Sequence, residues 1–249
     1  DCLNFGNPER PEVYYQMEGV IQGIADACSA LGTPVISGNV SLYNETGKQA
    51  VYPTPVIGML GLLDDVAMHV RSAFVGAGDD VFVLGASADQ PPSSLAGSEY
   101  LKLLHGKIAG RISIDLQLEA RVHRAALAAI RDGIVTTAHD CSDGGLAIAL
   151  AEMCLAGGKG LDASGLTLRN RTDAALFGEA QSRIMLALRP DSREALAGIA
   201  NGLDVPFQYL GTVTSEQRLR LGPIDVSLDE MRETYESSLE RALAATTSS

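Results

Sequence analysis

Cysteine pairs, positive charge and long apolar runs are all scarce in this chain, and each scarcity excludes something. Its four cysteines (Cys2, Cys28, Cys141, Cys154) stand far apart with no CxxC pair. Neither a zinc site nor a disulfide framework is indicated, so the thiols are expected to be reduced and to pack as small apolar groups. Lys and Arg number 19 against 31 Asp and Glu, for a formal net charge of -12. A nucleic-acid surface needs clustered cations, and that balance argues against one. A single bound nucleotide is not excluded, because backbone N–H groups and a divalent cation can supply positive field locally. No apolar run is long enough to span a membrane and no signal-peptide pattern is visible, which predicts a cytoplasmic protein with no membrane partner. No Ser/His/Asp or Cys/His set can be assembled, since only His139 of the four histidines falls in a candidate loop. The first residue is Asp1 rather than Met, and the chain is expected to begin inside a domain.

What is present is ordinary globular material: 249 residues, 46% apolar and 20% charged, enough for one large or two modest domains. Apolar residues at three- and four-residue steps, between Pro11 and Gly32, predict a helix over 11–31. A short apolar strand is predicted over 33–37, a polar turn over 44–49, and a strand over 52–63 with prolines at its start. Residues 64–74 read as a boundary, and the run 79–85 opens a new strand. Beyond it the pattern predicts helices near 117–131, 146–156 and 192–201, and strands near 134–138, 182–188, 209–213 and 218–221. A charged amphipathic helix over 228–244 closes the series.

Several polar runs stand beside these elements. Asp1-Cys2-Leu3-Asn4-Phe5-Gly6-Asn7-Pro8-Glu9 and Ser37-Gly38-Asn39-Val40-Ser41-Leu42-Tyr43-Asn44 read as polar groups following strand-like stretches, where α/β sheets present ligand-binding side chains. Asp1, Gly38, Asn39 and Ser41 supply a carboxylate, a bare backbone, an amide and a hydroxyl, which suits a magnesium-nucleotide site. Ordinary turn chemistry would use the same residues. His139-Asp140-Cys141-Ser142-Asp143-Gly144-Gly145-Leu146 joins an apolar strand to a helix. Its glycines admit close approach of a ligand, the helix start favours an anion, and Asp140 or Asp143 can hold Mg2+. A tight turn with Ser142 or Asp143 as N-cap accounts for the run equally well. Ser98 reads as the cap of a helix in Gly97-Ser98-Glu99-Tyr100. In Phe177-Gly178-Glu179-Ala180-Gln181-Ser182-Arg183, a surface pair between Glu179 and Arg183 is the expected arrangement.

The ordered set DCLNFGNPE, SGNVSLYNE, GSEYLKLLHG, HDCSDGGL and FGEAQSR resembles the C-terminal half of phosphoribosylformylglycinamidine synthase, of the small-subunit form, over essentially the whole chain. The resemblance implies an α/β (α+β) fold of the PurM-like, AIR synthase-related kind. It assigns residues 1–68 to the remainder of a second PurM-like N-terminal (A) domain and 69–249 to the second C-terminal (B) domain. It implies an ATP-dependent carbon–nitrogen ligase of purine biosynthesis. Such an enzyme uses ATP and Mg2+ to convert formylglycinamide ribonucleotide, with ammonia from a glutaminase subunit, to formylglycinamidine ribonucleotide. By position, Asp1 and Gly38 resemble ATP contacts, Asn39 a magnesium ligand and Ser41 a substrate contact.

Asp140, Asp143, Gly144, Glu179 and Gln181 resemble residues of an auxiliary nucleotide site. The family's catalytic histidines fall outside this sequence, so no catalytic residue is assigned and the chain alone is expected to be inactive. The alternative is a structural and docking half whose auxiliary site holds a nucleotide without turnover. The implied partners are the glutaminase subunit, a small accessory subunit and the N-terminal half of the synthase. Self-association of the isolated chain is expected as well.

Overall fold

A computed structural model describes residues 1–47 and 49–247. It divides into two compact units, Asp1–Asp64 and Asp65–Ser249. The first unit runs β1 (Cys2–Asn4), α1 (Pro11–Leu31), β2 (Asn39–Ser41), β3 (Glu45–Thr46), β4 (Gln49–Ala50) and β5 (Thr54–Val56). Helix α1 begins with Pro11, whose missing N–H would have had no intrahelical partner, and stops where Gly32 turns left-handed (φ 68°). Leu3, Phe5 and Val13 form its small core, with Met17, Val20, Ile24 and Leu42 packed around them.

The unit's sheet has the order β2-β1-β5, parallel between β1 and β2 and antiparallel between β1 and β5. Two sequence expectations are corrected here. The strand predicted over 33–37 lies instead at Asn39–Ser41, and the strand over 52–63 is confined to Thr54–Val56. Strands need partners, and β1 is the partner of both. The Asp1 nitrogen donates to Ser37 O (2.9 Å) and the Asn39 nitrogen to Asp1 O (3.0 Å), so the ladder reaches back only to Ser37. The expected turn at 44–49 is the β3–β4 hairpin, and Lys48 within it lies outside the described residues.

The second unit contains β6 (Asp80–Gly85), α2 (Glu99–His105), α3 (Leu116–Arg131), β7 (Val135–Asp140), α4 (Gly145–Gly157), β8 (Gly160–Ala163) and α5 (Thr172–Phe177). It continues with β9 (Arg183–Leu188), α6 (Arg193–Gly202), β10 (Phe207–Thr214), β11 (Arg218–Leu221), β12 (Ile224–Ser227), α7 (Leu228–Glu236) and α8 (Ser238–Thr247). The sheet order is β12-β11-β8-β10-β6-β9-β7, antiparallel throughout except for the parallel β8–β11 pair.

Helices cover both faces of this sheet, which is why its inner strands read as unbroken apolar runs. On β6 and β9, Val81, Val83, Met185 and Ala187 face the core built on α4, while Phe82, Leu84, Leu186 and Leu188 face α3 and α6. Helix α4 buries Leu146, Ala147, Ala149, Leu150, Met153 and Cys154 and is apolar around much of its girth. The single helix expected over 228–244 is two, broken at Ser237, whose nitrogen still bonds to Glu233 O. Strand β12, also not foreseen, leads into α7 through a capping box of Ser227 and Glu230.

Candidate functional site

Strand register builds the first candidate surface. Cys2 stands opposite Asn39 on one side and Val56 on the other, and Asn4 stands between Ser41 and Thr54. Side chains alternate along each strand, so Leu3 turns to the α1 core, and Cys2, Asn4, Asn39, Ser41, Thr54 and Val56 share the opposite face. The polar groups expected to follow strands are therefore the strands themselves. Asn39 and Ser41 are exposed, and Cys2 and Asn4 are half-buried.

Asp1 and Gly38 meet at the end of this face. A Cβ at Gly38 would overlap the Asp1 carboxylate and carbonyl oxygens, so only glycine admits this approach. Beside them opens an apolar cavity of about 320 Å3, lined by Asp1, Leu31, Ile36, Ile57 and Met59 among others. The structure thus brings Asp1, Gly38, Asn39 and Ser41 together on one edge and face of a three-stranded sheet.

In the second unit the candidate residues separate into two groups. Glu179 Oε1 accepts from the backbone nitrogens of both Glu99 and Gly144, at 2.8 Å each, and so caps the starts of α2 and α4 at once. The N-cap of α4 is Gly144, left-handed at φ 78°, and its side-chain cap comes from Glu179 rather than from Ser142 or Asp143. Ser98 caps α2, as its sequence position suggested. Gln181 donates to Glu179 O (3.2 Å), and both line a cavity of about 220 Å3 with Arg111, Ser93 and Ser113. Asp140 points elsewhere: its side chain is 71% exposed and accepts from Ser142. Asp143 is exposed too.

The expected surface pair of Glu179 and Arg183 does not form. Arg183 is 3% exposed and donates to Gly178 O (2.6 Å) and Ala180 O (3.1 Å), and its Nη1 has no hydrogen-bond partner among the described residues. Burial lowers its pKa, and burial raises that of the neighbouring Cys141, which the Arg183 charge opposes. Among the described residues, no three His, Cys, Asp or Glu side chains gather to hold a metal, and no helix is long and apolar enough to cross a membrane.

Residues 1–63 match the model for the N-terminal domain of AIR synthase related protein, and residues 76–223 match that for its C-terminal domain. The chain belongs to the AIR synthase related family. Within this family it is 46% identical over 244 residues to phosphoribosylformylglycinamidine synthase subunit PurL of Thermomicrobium roseum, covering 96% of this chain and 32% of that protein. It is 50% identical over 221 residues to the same subunit of a Synechococcus species, covering 86% and 28%. The chain therefore spans about a third of the length of the curated relatives it matches.

Among solved structures, T. maritima PurL complexed with FGAR superposes with a TM-score of 0.68 at 19% identity, over 92% of this chain and 38% of that one. T. maritima PurL complexed with ATP gives 0.63 at 17% identity, over 92% and 37%. At these identities the likeness shows a shared AIR synthase related fold.

Sequence reasoning did not single out the double capping by Glu179, the burial of Arg183, or Cys2 and Asn4 as members of the polar face. The last two had a signal. Alternation from Leu3, the one large apolar residue of the three-residue strand, places Cys2 and Asn4 on the face away from the core.

Proposed function

We propose that this chain belongs to the C-terminal half of a phosphoribosylformylglycinamidine synthase, with residues 1–68 belonging to its second A domain and 69–249 to its second B domain. The observation that carries this reading is the 46% identity over 96% of the chain to the Thermomicrobium roseum subunit. The whole enzyme would be a cytoplasmic ATP-dependent carbon–nitrogen ligase. It would take formylglycinamide ribonucleotide and ammonia, the latter from a glutaminase subunit docked with a small accessory subunit.

In that enzyme the β1–β2 face serves the nucleotide. Asp1, Asn39 and Ser41 offer carboxylate, amide and hydroxyl oxygens, the hard donors that Mg2+ takes together with phosphate oxygens and water, so the donor set fits this ion without a cage of carboxylates. Asn39 is the metal ligand, Asp1 and the bare backbone of Gly38 contact ATP, and Ser41, two residues along the same face, meets the substrate. When bound, magnesium-ATP supplies the phosphoryl group and offsets the charge that builds as it is transferred. The residues of this chain bind and orient; none is assigned a step of bond making.

A chimera tests this reading. With the present sequence in place of the matching segment of the Thermomicrobium roseum subunit, the synthase should retain ATP-dependent formation of the amidine product. A folded chimera that binds its partners but makes no product would contradict the assignment.

A second reading concerns the other unit. Glu179 and Gln181 line a cavity with Arg111, for which no ion pair is found among the described residues. These groups suit an auxiliary nucleotide held without turnover, in a half that then serves for docking. Calorimetry with Mg-ADP decides: binding that Arg111→Ala and Gln181→Ala weaken supports this reading, and no detectable binding rejects it.

A further inference from the structure

The polar face carries one arrangement that the nucleotide reading does not use. Asn4 Nδ2 lies 3.8 Å from Cys2 Sγ as donor, and Cys2 Sγ donates to Asn39 Oδ1 at 3.3 Å. The three side chains form a row fixed by the backbone, because Cys2 and Asn39 are register partners and Cys2 and Asn4 are separated by one strand period. A thiol is a weak donor and a weak acceptor. Here the sulfur accepts from the Asn4 amide and donates its S–H to Asn39, and the group that receives it is the amide oxygen, not the NH2. The direction of the row therefore decides which end of the Asn39 amide faces β1.

We propose that Cys2, backed by Asn4, is a positioning residue that fixes the orientation of the Asn39 carboxamide and thereby its capacity to ligate a divalent cation. The inference rests on the reading of Asn39 as the metal ligand. It extends that reading to two residues whose own side chains need not touch the metal. Groups that orient a metal ligand commonly change affinity by about 10- to 100-fold when removed. A thiol is a weak partner and belongs at the low end of that range.

The test is nucleotide binding by the complete synthase, measured by calorimetry with and without Mg2+ in Cys2→Ala, Cys2→Ser, Asn4→Ala and Asn39→Ala variants. Cys2→Ala should weaken the Mg2+-dependent part of ATP binding roughly 10-fold while leaving metal-free binding unchanged. Cys2→Ser, whose hydroxyl both donates and accepts, should restore it to within about 3-fold. Asn4→Ala should show a smaller loss of the same kind. If Asn39→Ala removes the Mg2+ effect and Cys2→Ala does not alter it, the positioning role is overturned and the site reading survives. If Cys2→Ala and Cys2→Ser weaken binding equally with and without metal, the cysteine is merely structural and the proposal fails. If Asn39→Ala itself leaves the Mg2+ effect intact, the site reading fails and takes this inference with it.

Discussion

The Asp1 carboxylate occupies the space where a side chain at Gly38 would begin. The two residues meet because β1 and β2 run parallel with Cys2 opposite Asn39, so the residue before each strand is brought beside the other. Gly38→Ala must then push aside both the carboxylate and the Asp1 backbone oxygen, and the second cannot swing away like a flexible side chain. The expected outcome is a fall in ATP affinity on the order of 10-fold in the complete synthase. Calorimetry checks it, with far-UV circular dichroism to show that the fold persists.

Glu179 predicts a stability effect of a different kind. One oxygen serves two backbone donors that belong to different helices, so Glu179→Ala orphans Glu99 N and Gly144 N together. The loss should be about 2–3 kcal/mol, lowering Tm by roughly 5–10 °C, and Glu179→Gln, which keeps an acceptor oxygen, should recover about half. Thermal unfolding of the three proteins measures this.

Alkaline pH should destabilise the second unit through Cys154. Burial pushes this thiol up to about 12 from an ordinary value of 9.0. Below pH 9 the thiol is protonated whether the chain is folded or not, and it contributes no pH dependence. Above pH 9 the unfolded thiol ionises while the folded one stays protonated, so stability falls as pH rises from 9 toward 12. The slope is about 1.4 kcal/mol per pH unit. Urea unfolding between pH 8 and 10.5 should show this slope in the wild type and a shallower one in Cys154→Ala.

The first unit exposes apolar surface that water does not favour: Ile36 at 77%, Leu60 at 90% and Leu62 at 99%. With the sheet edges of β2 and β5 unpaired among the described residues, the isolated chain is expected to self-associate. Light scattering should find a mass that rises with concentration. A constant monomeric mass to high concentration would contradict the prediction.

These outcomes also mark what the sequence made legible. Helix α1 could be read because its packing face repeats every three or four residues and its ends carry Pro11 and Gly32. Strands β6 and β9 could be read because burial on both faces makes their inner runs, Val81 to Leu84 and Ile184 to Leu188, wholly apolar. Residues 34–36 and 57–63 are largely apolar yet belong to no strand among the described residues, since pairing depends on a partner strand that local pattern cannot supply. The same limit hid the fate of Glu179. Its two donors lie 80 and 35 positions away, and only the tertiary approach of α2 and α4 makes its carboxylate a shared cap. Arg183 was misjudged for a related reason: a charged residue after a polar run reads as surface, whereas this guanidinium is buried against backbone carbonyls.

Asn39 is the one proposed metal ligand of this face, and its role is measured most directly by the Mg2+ dependence of product formation by the complete synthase carrying Asn39→Ala. Removal of a metal ligand should raise the Mg2+ concentration needed for half-maximal rate by about 10-fold or more at saturating ATP. An unchanged Mg2+ profile in a folded, assembled variant would contradict the assignment of this face to the metal-nucleotide.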